Sequence, residues 1–160
     1  MVWFSALLRG ISHNPALMAA LASILVAQVI KVPIFYATNR KWDLSKMMST
    51  GGMPSSHSAA VSSLSTVIAI RVGTGSMLFA AAVVFAIIVM YDAAGIRRHA
   101  GEQAIAINKL EAEIGKYIER FPMGRHEDYQ KKLKEMLGHQ PIEVFMGSIL
   151  GILIGVVAAR

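Results

Sequence analysis

The amino-acid sequence predicts an all-α fold, a polytopic membrane helical bundle with about four transmembrane spans and amphipathic interfacial or cytoplasmic helices. Of its 160 residues, 54% are hydrophobic, and the mean hydropathy is +0.50. Soluble domains contain about 45–50% apolar residues. Here the excess lies in blocks long enough to cross a hydrocarbon core of about 30 Å. The chain has no cysteine, which excludes disulfides, thiol nucleophiles and thiolate metal sites. We expect one membrane domain, residues 1–160.

Residues 1–14 predict a short amphipathic helix at the bilayer interface rather than a signal peptide. They hold Trp3, Phe4 and a single arginine, Arg9, and they show no clear cleavage site. The first span follows at residues 15–36, which are almost entirely apolar. Lys31 lies near the end of this span, where a long cationic side chain can reach the interface or a polar cavity.

The second and third spans are predicted at residues 57–73 and 76–92. The second is rich in alanine and serine, and small hydroxylated residues let membrane helices approach closely and hydrogen-bond to each other. We therefore expect the second span to be central and to face protein. The third span carries no charge between Leu78 and Tyr91, as expected of a helix in hydrocarbon.

The rest of the chain predicts a cytoplasmic helical insert at about residues 97–140 and a last span at residues 142–159. The insert is charged, with apolar residues at helical spacing, which is typical of one or two amphipathic helices outside the membrane core. The segment 121–124 divides them. In the last span Gly147, Gly151 and Gly155 fall four residues apart. Such a face predicts close packing, within the bundle in the favoured interpretation or in a homodimer in the other.

The distribution of positive charge predicts the orientation in the membrane. With four spans, the segments 31–57 and 92–141 lie on one side and hold thirteen of the sixteen lysine and arginine residues. By the positive-inside rule this side is cytoplasmic. We therefore expect a multi-pass protein of the plasma membrane with both of these loops in the cytoplasm.

The segment 51–59, with sequence GGMPSSHSA, is the first candidate for chemistry. Its glycines and proline interrupt regular structure, and Ser55 or Ser56 can cap the helix that follows. The N-terminus of that helix offers free N–H groups and the positive end of its dipole to an anion. His57 in the first turn can exchange a proton with a bound group. The alternative is a capped helix start with an incidental histidine.

The segment 92–103 lies on the same side of the membrane and is the second candidate. If it is helical, Asp92, His99 and Gln103 share one stripe, although Gly95 or Gly101 can break the helix and change this geometry. Two histidines, a carboxylate, several cations and a helix N-terminus suit phosphoryl transfer. The alternative is a basic cytoplasmic anchor of Arg97, Arg98 and His99, but an acid such as Asp92 at membrane depth is usually functional.

These two segments carry a resemblance to a known family. Pro54-Ser55-Ser56-His57 is similar to the P-S-G-H motif of the type 2 phosphatidic acid phosphatases, which include the vanadium haloperoxidases. The stretches GMPSSHS at 52–58, YDAAGIR at 91–97 and HAGEQA at 99–104 more closely resemble the divergent branch of that superfamily. The resemblance runs from the first span to the last, and the pair of motifs is more specific than either alone.

The resemblance implies roles for residues of this chain. The parent family uses the motifs K-x6-R-P, P-S-G-H and S-R-x5-H-x3-D, without a metal or other cofactor. Its second-motif histidine is the general acid, and its third-motif histidine is the nucleophile, oriented by an aspartate. By resemblance, His57 takes the acid role, and Ser55 and Ser56 line the phosphate site. Arg97 matches the third-motif arginine, and Lys31 stands near the place of the first-motif lysine.

The third motif departs from the parent pattern in ways that bear on catalysis. The nucleophile position, six residues after Arg97, holds Gln103, and the aspartate position holds Ile107. His99 and Asp92 are the candidates to replace the nucleophile and its aspartate, on residue type rather than on a motif match. Gln103 is then a candidate phosphate-binding side chain. The first motif also departs, since Arg40 is misplaced relative to Lys31 and no proline follows it. A branch without catalysis is therefore an open alternative.

The resulting hypothesis is a membrane phosphatase that hydrolyses a phosphate ester of a lipid or isoprenoid by a histidine-based, metal-independent mechanism. The expected partners are membrane lipid and the phosphorylated substrate, with no nucleic acid, and a homodimer through the last-span glycines is the further possibility. A rival hypothesis is a non-catalytic protein that binds or moves an anionic lipid through the same site. A third is a structural bundle whose basic loop docks on headgroups.

Overall fold

A computed structural model of the chain describes residues 2–49, 51–118 and 139–160, and this part is all-helical, as predicted. The helices follow one another as α1 (Val2–Ser12), α2 (Pro15–Asn39), a short 3₁₀ helix (Leu44–Met48), α3 (Ser56–Arg71), α4 (Met77–Ala94), α5 (Ile96–Ile118) and α6 (Pro141–Ala158). The segment 121–124, predicted to divide the insert, lies outside the described residues.

Polar residues at the helix starts explain where the helices begin. Asn14 Oδ1 accepts hydrogen bonds from the N–H groups of Ala16 and Leu17, both at 3.1 Å. Ser76 Oγ accepts one from the N–H of Phe79 at 3.2 Å. These side chains satisfy N–H groups that have no partner inside the helix, so each apolar helix starts at a defined residue.

Helix α3 is the centre of the bundle, and α2, α4 and α6 all pack against it. Most of its small residues are buried. Its hydroxyls are satisfied locally: Ser65 Oγ donates to Val61 O at 2.8 Å and Thr66 Oγ1 donates to Ser62 O at 2.7 Å. The prediction that this helix is central and faces protein is confirmed, because its hydroxyls bond to its own backbone and its small side chains admit close neighbours.

The last-span glycines lie against α3 within the same chain. Gly147 faces the backbone of Ser55, Gly151 faces the backbone of Ala59, and all three glycines are buried. A Cβ atom at Gly155 would lie 2.7 Å from Cβ of Thr66, closer than packed carbon atoms approach. The glycine ridge, Gly147, Gly151 and Gly155, therefore packs within the bundle. A second copy of the chain could contact the same face only by displacing α3.

Two contacts establish the relative directions of the helices. The N–H of Ser55, at the start of α3, donates to Glu143 O in the first turn of α6 at 2.9 Å. At the other end, Arg71 Nε donates to Ala159 O at 2.8 Å. Helices α3 and α6 therefore run in the same direction, opposite to α4, which follows α3 after a short turn. We call the end that holds Ser55 and Glu143 the site end.

Within the described residues, three helices are long and apolar enough to cross a membrane: α2, α4 and α6. Helix α3 has 16 residues, which at about 1.5 Å per residue gives about 24 Å, short of a hydrocarbon core of about 30 Å. The predicted count of about four spans is therefore not confirmed. Because α3 contacts α6 near both of its ends, it still runs from one end of the bundle to the other.

The helix expected to hold Asp92, His99 and Gln103 on one stripe is interrupted at Gly95. Helix α4 ends at Ala94, the N–H of Gly95 donates to Tyr91 O at 2.9 Å, and α5 starts at Ile96. Asp92 therefore belongs to the apolar helix and His99 to the amphipathic one. The single stripe does not form, because it required continuous helical rotation across the glycine.

Candidate functional site

The first component of the site end is the N-terminus of α3. Ser55 and Ser56 are buried, and Ser55 Oγ accepts a hydrogen bond of 3.4 Å from the N–H of Ser58. Ser55 is thus the cap that the sequence suggested. His57 lies in the first turn, beside helix N–H groups and the positive end of the helix dipole.

A second histidine lies beside His57, and it is His139. The centroids of the two rings are 6.2 Å apart, with an interplanar angle of 63°. His139 immediately precedes α6 and is only 2% exposed. Its N–H donates to Ala93 O at 2.9 Å, so the end of α4 holds this residue in place. Three helix ends therefore converge on the pair of imidazoles.

Glu143 sets the protonation pattern of the His139 ring. Glu143 Oε2 lies 2.8 Å from His139 Nδ1 and also accepts the N–H of Gln140 at 3.1 Å. An ionised carboxylate only accepts hydrogen bonds, so Nδ1 carries the proton and donates it. The other nitrogen, Nε2, is buried and has no hydrogen-bond partner within the described residues. It is left with a lone pair for a base or nucleophile.

Lys31 supplies the cationic group of the site end. Its side chain is buried, its Nζ donates to Ser49 O at 3.0 Å, and it lies near enough to Glu143 for electrostatic attraction. A buried ammonium requires a carboxylate or another anion nearby. The phosphate-binding role that the resemblance implied for Lys31 stays a prediction.

Two of the other sequence candidates lie on α5 and are exposed. His99 has a side chain that is 73% exposed and lies 3.1 Å from Glu102 Oε2, and Gln103 is exposed. Asp92 is half-buried in α4, next to the residue whose carbonyl holds His139. The side chain of Arg97 lies outside what the structure describes. Among the described side chains, the structure places Ser55, Ser56 and His57 at the start of α3 and Lys31 beside Ser49.

The signal for His139 and Glu143 was present in the sequence. His139-Gln-Pro-Ile-Glu143 has the spacing H-x3-E, equivalent to the H-x3-D that ends the third motif of the parent family. Counting from Arg97 at the parent spacing missed it, because about forty residues separate Arg97 from His139 here. The position of the pair at the start of the last span was the available clue.

Two cavities open beside the cluster and share Ser49. The first, of about 400 Å³, is lined by Lys31, Phe35, Lys46 and the glycine loop at 51–53. The second, of about 420 Å³, lies among α2, α3 and α4 and is lined mainly by apolar residues together with Gln28, Ser56 and His57. An apolar cavity next to a cationic, histidine-bearing site suits a ligand with both an anionic group and a hydrocarbon chain.

The 3₁₀ helix contributes Lys46 to the wall of the first cavity, and Asp43 caps its start. The hydroxyl and backbone N–H of Ser45 donate to the Asp43 carboxylate and hold its pKa below the usual value. Lys46 lies 3.7 Å from the same carboxylate and 4.8 Å from the ring centroid of Phe35. Lys46, the second lysine of the cavity, is thus positioned by the Asp43 carboxylate, which is charged at neutral pH.

The chain can be compared with known proteins now that this geometry is described. Residues 12–154 match the profile of a family described as the divergent PAP2 family. The chain belongs to this family. It is also 54% identical over 149 residues to the uncharacterized membrane protein YuiD of Bacillus subtilis (strain 168), a match that covers 91% of this chain and 94% of that protein. No solved structure matches.

Membership of the divergent PAP2 family confirms the resemblance stated from the motifs. The matched region extends from the end of α1 to α6 and includes every residue of the cluster. The similarity to YuiD and the apolar helices α2, α4 and α6 identify a membrane protein. Membership of a PAP2-related family is compatible with phosphatase activity.

Proposed function

We propose that this divergent PAP2 protein hydrolyses a phosphate monoester of a membrane lipid, with His57 and His139 acting on the same phosphoryl group. The observation that carries this proposal is the placement of His139, hydrogen-bonded to Glu143 through Nδ1, next to His57. Lys31 and the N-terminus of α3 add positive potential at the same end. These are the groups required to bind a phosphate, attack it and protonate a leaving oxygen.

In the first step His139 Nε2 attacks the phosphorus atom and the bond from phosphorus to the ester oxygen breaks. Glu143 stabilises the positive charge that develops on the imidazole, because its carboxylate accepts the Nδ1 proton in a hydrogen bond. His57 donates a proton to the leaving oxygen, which departs as the lipid alcohol. Lys31 and the free N–H groups of α3 stabilise the phosphoryl oxygens.

In the second step water attacks the phosphorus atom of the phosphohistidine. His57, now neutral, takes a proton from this water, and the bond between Nε2 and phosphorus breaks. Inorganic phosphate leaves and His139 is regenerated. The two histidines therefore have different roles, and both are required for turnover.

The second cavity supports a lipid as the source of the phosphate ester. It is lined by Ile24, Val61, Phe85 and other apolar residues, and it reaches His57. A hydrocarbon chain in this cavity would leave its phosphate at the site end, near Lys31. By the charge distribution, we propose that this end faces the cytoplasm.

The direct test is release of inorganic phosphate by the purified full-length protein from phosphorylated lipids in mixed micelles. We expect turnover of lipid monophosphates and inhibition by vanadate, which mimics five-coordinate phosphorus. Saturable binding of the lipids without phosphate release would instead support the rival function, binding or movement of an anionic lipid. The absence of both binding and release would contradict the proposed use of this site.

A further inference from the structure

The two cavities lie at different levels of the bundle. On α2, the first cavity is lined by Lys31 and by residues as far as Asn39, whereas the second is lined by Ile24 and Gln28. At about 1.5 Å per residue, the midpoints of these two stretches are about 13 Å apart along the helix axis. The first cavity thus lies at the exposed, polar end of α2, and the second lies within its apolar part.

Two ammonium groups line the first cavity, and none of its described lining residues carries a carboxylate. Lys46 is the accessible one, with a side chain that is 34% exposed. Asp43 lies 3.7 Å from Lys46 Nζ, farther than an ordinary hydrogen bond, and an ammonium has three N–H donors. Lys46 therefore keeps donors for an anion. Lys31 is buried and faces Glu143, so it contributes positive potential without contact.

The glycine loop, Gly51, Gly52 and Met53, adds three consecutive backbone N–H groups to the wall of this cavity. In the part of the chain that the structure describes, none of these N–H groups donates a hydrogen bond. Gly52 is exposed and has a φ of 90°, in the left-handed region, and a Cβ atom there would meet nothing within 4 Å. Successive N–H groups in such a turn form a concavity that binds anions.

We infer that the first cavity is a binding site for inorganic phosphate, held by Lys46 and the N–H groups of the glycine loop. A phosphate ion has several acceptor oxygens, so it can bind an ammonium and more than one N–H group together. The site is distinct from the histidine cluster, because His57, His139 and Glu143 are not among its lining residues. Ser49 lines both cavities, so the phosphate site and the lipid cavity adjoin.

The inference deepens the proposed function, on which it rests only for the source of the ion. Hydrolysis of a lipid phosphate gives a water-soluble ion and an apolar alcohol. These two products suit the two cavities, the ion in the first and the hydrocarbon chain in the second. Lys46 should therefore govern the affinity for inorganic phosphate more than the affinity for the lipid substrate.

The binding test follows the backbone amides of full-length protein directly. Protein that carries isotope-labelled glycine is titrated with inorganic phosphate in detergent micelles and observed by NMR, with chloride of equal ionic strength as the control for screening. We expect phosphate to shift the amide signals of Gly51 and Gly52. The signal of Gly75, in the turn after α3, is the internal control and should not move.

Three variants test the role of the Lys46 charge. Lys46→Gln should raise the dissociation constant of inorganic phosphate about fivefold, the effect of losing one charge-assisted hydrogen bond at a partly exposed site. In the release assay it should raise the inhibition constant of phosphate by the same factor, without a matching rise in KM for an alkyl phosphate. Lys46→Arg keeps the charge and should retain binding. Lys41→Gln, at an exposed position that does not line the cavity, is the matched control.

The outcomes separate this inference from the phosphatase proposal. Unmoved signals of Gly51 and Gly52, or equal shifts at Gly75, would overturn the inference. Equal rises in the phosphate dissociation constant and in KM for the alkyl phosphate in Lys46→Gln would place the phosphate of the lipid itself in the first cavity and would also overturn it. Lys46-dependent binding in a protein that releases no phosphate from lipids would contradict only the phosphatase. Release without phosphate binding at the loop would contradict only this site.

Discussion

The hydrogen bond between His139 Nδ1 and Glu143 Oε2 leaves Nε2 as the unprotonated nitrogen of that ring. The carboxylate accepts at 2.8 Å and also receives the N–H of Gln140, so both of its contacts orient it at the start of α6. Because His139 is buried and its backbone is bonded to Ala93, the ring has little freedom to turn. In the proposed mechanism this residue forms and breaks one bond to phosphorus, and a fixed orientation of the ring favours both steps.

At the residue scale, we expect His57→Ala and His139→Ala each to reduce phosphate release by at least about a hundredfold. In the proposed mechanism the first variant lacks the general acid and the second lacks the nucleophile. His99→Ala is the matched control, because its side chain is exposed and pairs with Glu102, and it should retain activity. Inactive His99→Ala with active His139→Ala would show that the attacking imidazole belongs to α5. Melting curves in detergent establish that each variant is folded.

Glu143→Gln tests the orienting role separately. The amide keeps the shape of the side chain but removes the charge that stabilises protonated His139, and its NH₂ group can oppose the Nδ1–H. We expect kcat to fall by about two to four orders of magnitude with a small change in KM. Glu143→Asp, which keeps the charge, should recover part of the loss. If Glu143→Gln lowered the melting temperature and left kcat intact, the role of Glu143 would be structural only.

At the scale of elements, the contact between α3 and α6 determines the site because it brings together His57 and His139. The three glycines of α6 let its backbone lie directly against α3. Small residues at such a contact allow van der Waals packing and backbone approach that larger side chains prevent. The distance between the two imidazoles therefore depends on a packing surface that extends away from the site.

We expect Gly151→Leu to destabilise the bundle and to impair phosphate release indirectly. A side chain at this position would overlap the backbone of Ala59, and overpacking typically costs about 1–3 kcal/mol. Val157→Leu, on the exposed side of the same helix, is the matched control and should melt as the wild type does. Equal melting temperatures for the two variants would mean that α6 contacts α3 more loosely than the structure shows.

At the scale of the whole molecule, the helix directions place the N-termini of α3 and α6 and the end of α4 together at one end of the bundle. The turn between α3 and α4 lies at the other end, near the contact of Arg71 with Ala159. A protein in a membrane therefore presents these two ends to different compartments. The charge distribution predicts that the site end is cytoplasmic.

This orientation can be tested with single-cysteine variants, since the chain has no cysteine of its own. Lys46→Cys and Lys131→Cys should stay unmodified when intact cells are treated with a membrane-impermeant thiol reagent. Lys131 lies outside the described residues and reports on the insert. Thr74→Cys, at an exposed position in the turn after α3, should react. Labelling of the first two variants without the third would reverse the orientation.

The sequence by itself determined the fold class and the family. Long apolar blocks in hydrocarbon must be helical, because every backbone N–H and C=O needs a partner inside its own segment. Serine-rich composition predicted the central place of α3, and the regular glycines predicted a close contact. The motif at 52–58 identified His57 and the serine cap, because helix capping and proline geometry depend on neighbouring residues in the chain.

Only the tertiary structure decided which residues accompany His57. His139 and Glu143 are more than eighty residues away from His57 in the sequence, and they reach it because the glycine ridge of α6 lies on α3. The sequence predicted His99 and Asp92 on one face of a continuous helix, but the break at Gly95 places them in different helices. A local pattern specifies a helix and its ends, whereas long-range packing specifies which ends meet.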